Sequence, residues 1–220
     1  IGTSSTQDNM FIRFSDQEDP ATWTPTATNT AGSQRLTDGN QINAAVRSRG
    51  VILIYTDTAL YQMQFIGPPF TFGFRQLGTN CGAVGINAAV DVNGIAYWMG
   101  NDSFFLFDGA VKKIPCSVQD YVFDDINNNA LGDVFCAVNS DFNEVIWFYP
   151  SKNSTQVDRN VTYNYAEKIW YIGTLARSSW ADRGVYSNPY AAEFEAGATT
   201  NTISTINGVK EGRTLIYLHE

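Results

Sequence analysis

A chain of 220 residues is long enough to bury a core of its own, and its net charge of −8 argues against binding through nucleic-acid phosphates, which takes Lys and Arg. One His and three widely spaced cysteines (Cys81, Cys116, Cys136) leave neither a zinc set nor a disulfide framework, so the thiols read as buried core. Hydrophobic residues at 44%, aromatics at 14% and charged residues at only 16%, without long helical periodicities, describe an all-β protein with a Thr- and Asn-rich surface.

Met10 to Phe14 reads as a strand that enters the acidic turn Ser15 to Trp23, a partial unit over residues 10–23. Thr24 to Asn40 holds almost nothing to bury and is expected to be an exposed loop. A repeat follows. Ile42-Asn43-Ala44-Ala45-Val46 leads to Gly50 and the apolar run Val51 to Tyr55; 44 residues on, Ile86-Asn87-Ala88-Ala89-Val90 leads to Gly94 and Ile95 to Trp98. Each copy is a strand, a tight turn and a second strand rich in β-branched and aromatic residues, and a period near 44 is that of a four-stranded propeller blade.

The first unit spans residues 42–77, with strands at Ile42–Val46, Val51–Tyr55, Ala59–Ile66 and Phe70–Leu77. The second spans 85–114, with strands at Gly85–Val90, Ile95–Met99, Ser103–Phe107 and Ala110–Ile114, the last two joined by the hairpin signal Asp108-Gly109. Residues 117–126 then switch to a helical period, with Ser117 as cap and Val118, Tyr121, Val122 and Ile126 on one face. A third unit at 134–173 places Ala137-Val138 48 residues after Ala89-Val90, and a further partial unit is expected at 203–220. The predicted fold class is all-β, a propeller of four-stranded antiparallel blades in one domain. No run approaches ~18 apolar residues, so neither a membrane span nor a membrane partner is expected. The chain shows no secretory leader, starts at Ile1 without Met and stops beside the strand-like run Thr214 to His219, so it is expected to be a piece of a longer polypeptide.

Candidate chemistry is sparse. Asp16 to Trp23 resembles the Asp-box of sialidase-type propellers, but Pro20, Glu18 and Asp16 stand where that box has Gly, Asp and Ser, and the box is itself a folding element; a structural turn is expected. Adjacent Asp124 and Asp125 diverge by about 100° on a helix and do not make an acid-base pair. Asp91 to Gly94 lacks the further oxygen ligands of a calcium loop and reads as a hairpin turn. His219 has no nucleophile near it in sequence. Triplets of the glycosylation type begin at Asn101, Asn153 and Asn160, at a frequency that an Asn- and Thr-rich chain reaches by chance. Trp98, Trp147, Trp170 and Tyr171 lie in strand patterns and are expected in the core rather than on a sugar-stacking surface. No catalytic, metal-binding or cofactor-binding residue is expected.

The ordered segments Phe14-Ser15-Asp16, Leu53-Ile54-Tyr55-Thr56-Asp57, Cys81-Gly82, Tyr97-Trp98-Met99, Phe104 to Gly109, Val118 to Phe123, Glu144 to Pro150, Arg177 with Trp180, and Tyr217 with His219-Glu220 are similar to those of bacteriophage tail-nozzle proteins, related to tail tubular and packaged-DNA-stabilisation proteins. The likeness spans nearly the whole chain. It implies a non-enzymatic β-propeller in the virion tail or neck, a homo-oligomer in a six-fold ring that meets other tail, adaptor or portal proteins. Such a ring retains packaged DNA and passes it at ejection without binding it specifically, and the family is usually longer than this chain. An acidic chain suits a conduit from which DNA must slide freely. The alternative is a carbohydrate-binding or glycan-cleaving propeller, receptor-binding or secreted.

Overall fold

The computed structural model describes residues 7–185, 187–196 and 212–218, and within them the chain is antiparallel β-structure with one α-helix. It divides into two compact units, Ile1–Pro115 and Cys116–Glu220.

In the first unit, β1 (Phe11–Phe14) pairs with β2 (Gly32–Arg35). A four-stranded meander follows from β3 (Ile42–Ser48) through β4 (Val51–Thr56) and β5 (Ala59–Gly67) to β6 (Thr71–Thr79), and a second from β7 (Ala89–Val92) through β8 (Ile95–Met99) and β9 (Phe104–Phe107) to β10 (Val111–Ile114). The three sheets stack as layers. Leu53, Tyr55 and Leu60 on one side of the first meander meet Ala96, Trp98 and Phe105 of the second, while Ile54, Tyr61 and Met63 on its other side meet Met10, Ile12, Phe14 and Leu36. Trp98 is fully buried, stacks on Phe105, and donates from Nε1 to the Cys81 carbonyl at 2.7 Å. Burying a large aromatic with its polar atom satisfied captures the transfer energy, on the order of 2–3 kcal/mol, without an orphaned donor.

The 44-residue repeat persists in three dimensions. Ala45 faces Ile54 and Val46 faces Leu53 across the first hairpin, as Ala89 faces Trp98 and Val90 faces Tyr97 across the second. Both hairpins turn through two residues of positive φ, Arg49-Gly50 (47° and 83°) and Asn93-Gly94 (54° and 82°). Positive φ at both positions is the type I′ signature, whose twist matches that of the flanking strands. The turns lie side by side, with the Arg49 side chain over Gly94 and Ser48 Oγ donating to the Gly94 carbonyl at 3.4 Å.

In the second unit α1 (Gln119–Asp125) and a 3-10 turn (Leu131–Asp133) precede the meander β11 (Phe135–Asn139), β12 (Glu144–Tyr149), β13 (Arg159–Asn164) and β14 (Ile169–Gly173). A three-stranded sheet of β15 (Ser179–Ala181), β16 (Tyr190–Ala196) and β17 (Gly212–Leu218) follows. Ala137, Ile146 and Phe148 pack against Leu175 and Trp180, and Trp180 Nε1 donates to the Val138 carbonyl at 2.9 Å. In both units the first strands of consecutive sheets are neighbours: β3 beside β7, and β11 beside β15. None of the described sheets closes on itself.

Several expectations need correction. Thr24 to Asn40 is not all exposed loop: β2 lies within it, and Leu36 is buried against Met10 and Tyr61, because β1 takes its ladder partner from this segment. The second meander begins at Ala89 rather than Gly85; Ile86 is 63% exposed and Ala88 N donates back to the Gly85 carbonyl, so the segment turns before it pairs. Ser117 does not cap the helix. Val118 occupies that position with no side-chain hydrogen bond, so the helix starts later; Val122 and Ile126 are buried as expected, whereas Tyr121 is exposed.

The 48-residue offset of the third unit also changes. Leu53 and Tyr55 face the following sheet in the first unit, and Ile146 and Phe148 do so in the second. Their partners are Val46 and Ala44 in one case, Ala137 and Phe135 in the other. Matched by face, the β11–β12 hairpin carries a four-residue turn, Ser140 to Asn143, where β3–β4 and β7–β8 have two residues. Side chains alternate in a strand, so matching Ala137 to Ala89 would place every residue on the wrong side. Of the partial unit expected at 203–220, residues 203–211 and 219–220 lie outside the described residues; the rest falls in β17.

Candidate functional site

The acidic segment after β1 closes on itself. Asp16 Oδ1 accepts from Gln17 N and Thr30 N, both at 2.8 Å, and from Thr30 Oγ1 at 2.6 Å; Asp19 Oδ1 accepts from Ala21 N at 3.0 Å and Oδ2 from Thr22 Oγ1 at 2.7 Å. These donors hold both carboxyls below the usual carboxylate range, Thr30 acting most on Asp16 and Thr22 on Asp19. Trp23 Nε1 donates to the Pro20 carbonyl and the Arg13 guanidinium to the Trp23 carbonyl, both at 2.7 Å. Carboxylates engaged in this way fix a turn and are poor candidates for acid-base chemistry.

Beside this turn lies a cleft of about 270 Å³ lined by Phe14, Asp16, Thr30, Phe65, Pro68 and Phe72. It sits beside the outer part of the β5–β6 hairpin, beyond the last ladder pair with β4, Met63 to Ile52; there the strands pair with each other, Gln64 to Gly73, Phe65 to Phe72 and Gly67 to Thr71, while Thr71 Oγ1 donates to the Thr30 carbonyl at 3.2 Å and Phe72 packs on Phe14 with ring centroids 4.9 Å apart. The projecting tip exposes Phe65 (62%), Ile66 (54%) and Phe70 (74%), with Pro68 and Pro69 between them. The sequence pattern places Phe65, Ile66 and Phe70 in strands, with Gly67-Pro68-Pro69 between them. The signal was present: no charged residue stands between Asp57 and Arg75.

The second unit holds a cleft of about 300 Å³ lined by Asp133, Gln156, Val157, Arg177, Ser178 and Glu193. Arg177, only 7% exposed, pairs through Nη1 with Glu193 Oε2 at 3.1 Å. These residues are spread over 60 positions, so no sequence motif announces them. A polar cluster also surrounds the end of α1: Asp125 Oδ2 lies 3.6 Å from Arg159 Nε, and Asp158 accepts from Ser151 N and Oγ, both at 2.7 Å. Burial, then the Asp125 charge, pushes the Tyr149 phenol well above its usual range.

The remaining candidates do not converge. Asp124 is exposed while Asp125 turns towards Arg159. Asp91 Oδ1 accepts from Gly94 N at 2.9 Å and serves the hairpin turn. Among the described residues no group of three or more His, Cys, Asp or Glu is placed to hold a metal ion, and His219 lies outside them. All three thiols are free; Cys81 is buried and Cys116 and Cys136 partly so, and burial raises each thiol pKa. Asn101 and Asn153 are exposed, whereas Asn160 is buried in β13 and bound to Thr162 Oγ1 at 3.2 Å. Trp98 and Trp147 are core and Trp170 packs on Trp147 and Tyr163. Tyr171 is 40% exposed, contrary to expectation, because β14 is an edge strand; its hydroxyl donates to Glu144.

No protein-family model matches the chain, and no curated protein matches its sequence.

Proposed function

We propose that this chain is a structural protein of a bacteriophage tail or neck, of the nozzle type, whose copies assemble into a ring that retains packaged DNA and passes it at ejection. The observation that carries this reading is the way successive sheets stack. In each unit the first strands of consecutive sheets lie side by side, and the equivalent face of β4 and of β12 meets the following sheet. Four-stranded antiparallel sheets repeated in that manner fit the blades of a propeller and support that reading. The sequence likeness to tail-nozzle proteins then supplies the setting, and the net charge of −8 suits a conduit in which DNA must not adhere.

Cryo-electron microscopy of the particle encoded beside this gene tests the proposal. Copies arranged as a ring in the tail or neck are the expected result, and a particle without them there overturns it. The rival reading, a glycan-binding or glycan-cleaving propeller, makes the opposite forecast on a glycan array with a hydrolysis assay, where the nozzle reading expects neither binding nor cleavage.

A further inference from the structure

We propose that the tip of the β5–β6 hairpin is a bilayer-insertion loop, which seats Phe65, Ile66 and Phe70 in the headgroup and acyl boundary of an uncharged lipid surface. This is contact with a membrane surface rather than a span, and it rests on the tip alone, so its failure leaves the ring assembly untouched.

Three features of the tip choose the occupant. Phe72 and Gly73 are consecutive in β6 and therefore present opposite faces of the hairpin. Phe65 packs edge-on against Phe72 with ring centroids 5.8 Å apart, whereas Ile66 covers Gly73, where an added Cβ would meet its side chain at 3.3 Å. Apolar side chains thus stand on both faces, and Phe70 is exposed at 74% in the loop joining the strands. A flat protein surface would cover one face and leave the other wet; a lipid phase surrounds all of them.

The second feature is polarity. Between Asp57 and Arg75 no residue is charged. The loop also presents few backbone donors: Pro68 and Pro69 have no N–H, and Phe72 N is bound to the Phe70 carbonyl at 2.7 Å. Unpaired donors are what an apolar phase penalises most, so this backbone suits entry into one. Asp16, across the cleft from Phe65 and Pro68, and Arg75 further along β6 mark where the polar headgroups would lie, leaving Ile66 and Phe70 to go deepest.

The third is size. Three large side chains and two prolines fall short of the roughly 800 Å² per partner that a stable protein interface buries. For interfacial binding the same residues suffice, because affinity there scales with the apolar area inserted rather than with a minimum interface.

Flotation of the purified chain on a density gradient with vesicles of phosphatidylcholine alone tests this, beside vesicles containing phosphatidylglycerol. The chain is expected to float with both, with no gain from the anionic lipid. Phe65→Ser with Phe70→Ser should reduce the bound fraction at least roughly tenfold, and Phe70→Ser alone by less. Both positions are exposed, and an unchanged circular dichroism spectrum certifies the variants' fold. Absence of flotation with either vesicle, flotation only with the anionic one, or equal flotation of parent and double variant overturns the proposal. So does self-association in lipid-free velocity sedimentation that the double variant abolishes without any vesicle binding, which would make the tip a contact between copies.

Discussion

At the scale of single residues, Gly82 shows most clearly how the first unit is locked. Cys81 N donates to the Thr58 carbonyl at 2.9 Å and Ala83 N to the Thr56 carbonyl at 3.1 Å, so residues 81–83 run tightly along the β4–β5 connection. A Cβ built on Gly82 would come within 2.3–2.4 Å of the backbone of Asp57 and Thr58. Backbone cannot step aside as a flexible side chain can, so Gly82→Ala is expected to cost at least about 2 kcal/mol. Gly132, in the 3-10 turn, has nothing within 4 Å of its would-be Cβ, and Gly132→Ala should stay within about 0.5 kcal/mol of the parent. Urea-denaturation midpoints of the two variants check the contrast; equal midpoints would contradict this account of Gly82.

At the scale of elements, the sheets differ in how their edges are guarded. The outer strand β10 carries Lys112 and Lys113, both exposed, and Lys112 Nζ pairs with Asp108 at 2.5 Å. The outer strand β14 reads Ile-Trp-Tyr-Ile-Gly, with Ile169 50% exposed and Ile172 40%. An uncharged apolar edge is a template for unwanted pairing. Ile169→Lys is therefore expected to lower light scattering during refolding from urea while moving the unfolding midpoint by less than about 0.5 kcal/mol. Elements built from neighbours in sequence were readable in advance: Gly50 and Asn93-Gly94 announced the two type I′ turns, and the alternation behind them announced the meanders. The misreadings share one physical cause, the reach of distant residues. Thr24 to Asn40 looked inert because β2 is a strand only by virtue of β1. Tyr171 looked like core because alternation does not reveal which strand lies at an edge, and the Arg177–Glu193 cleft unites loops that only the fold brings together.

At the scale of the whole molecule, charge makes the sharpest forecast. With 22 Asp and Glu against 14 Lys and Arg, the chain lacks the counterion-releasing cations on which backbone affinity depends. In a mobility-shift titration at pH 7 it should leave duplex DNA unretarded even at about 50 mM salt, where phosphate binding is strong. Retention that weakens steeply as salt is raised would show a basic track that the net charge hides, and would count against a frictionless conduit. The turns between first and second strands carry one more consequence. Two residues suffice at Arg49-Gly50 and Asn93-Gly94, four are used from Ser140 to Asn143, and the inward faces still agree. Length changes at these hairpins are thus absorbed by the loop: the paired residues on either side keep their faces as long as the ladder keeps its register. Peptide inserts placed between Ser140 and Asn143, where the loop is already the longer one, should therefore leave the inward faces of β11 and β12 unchanged.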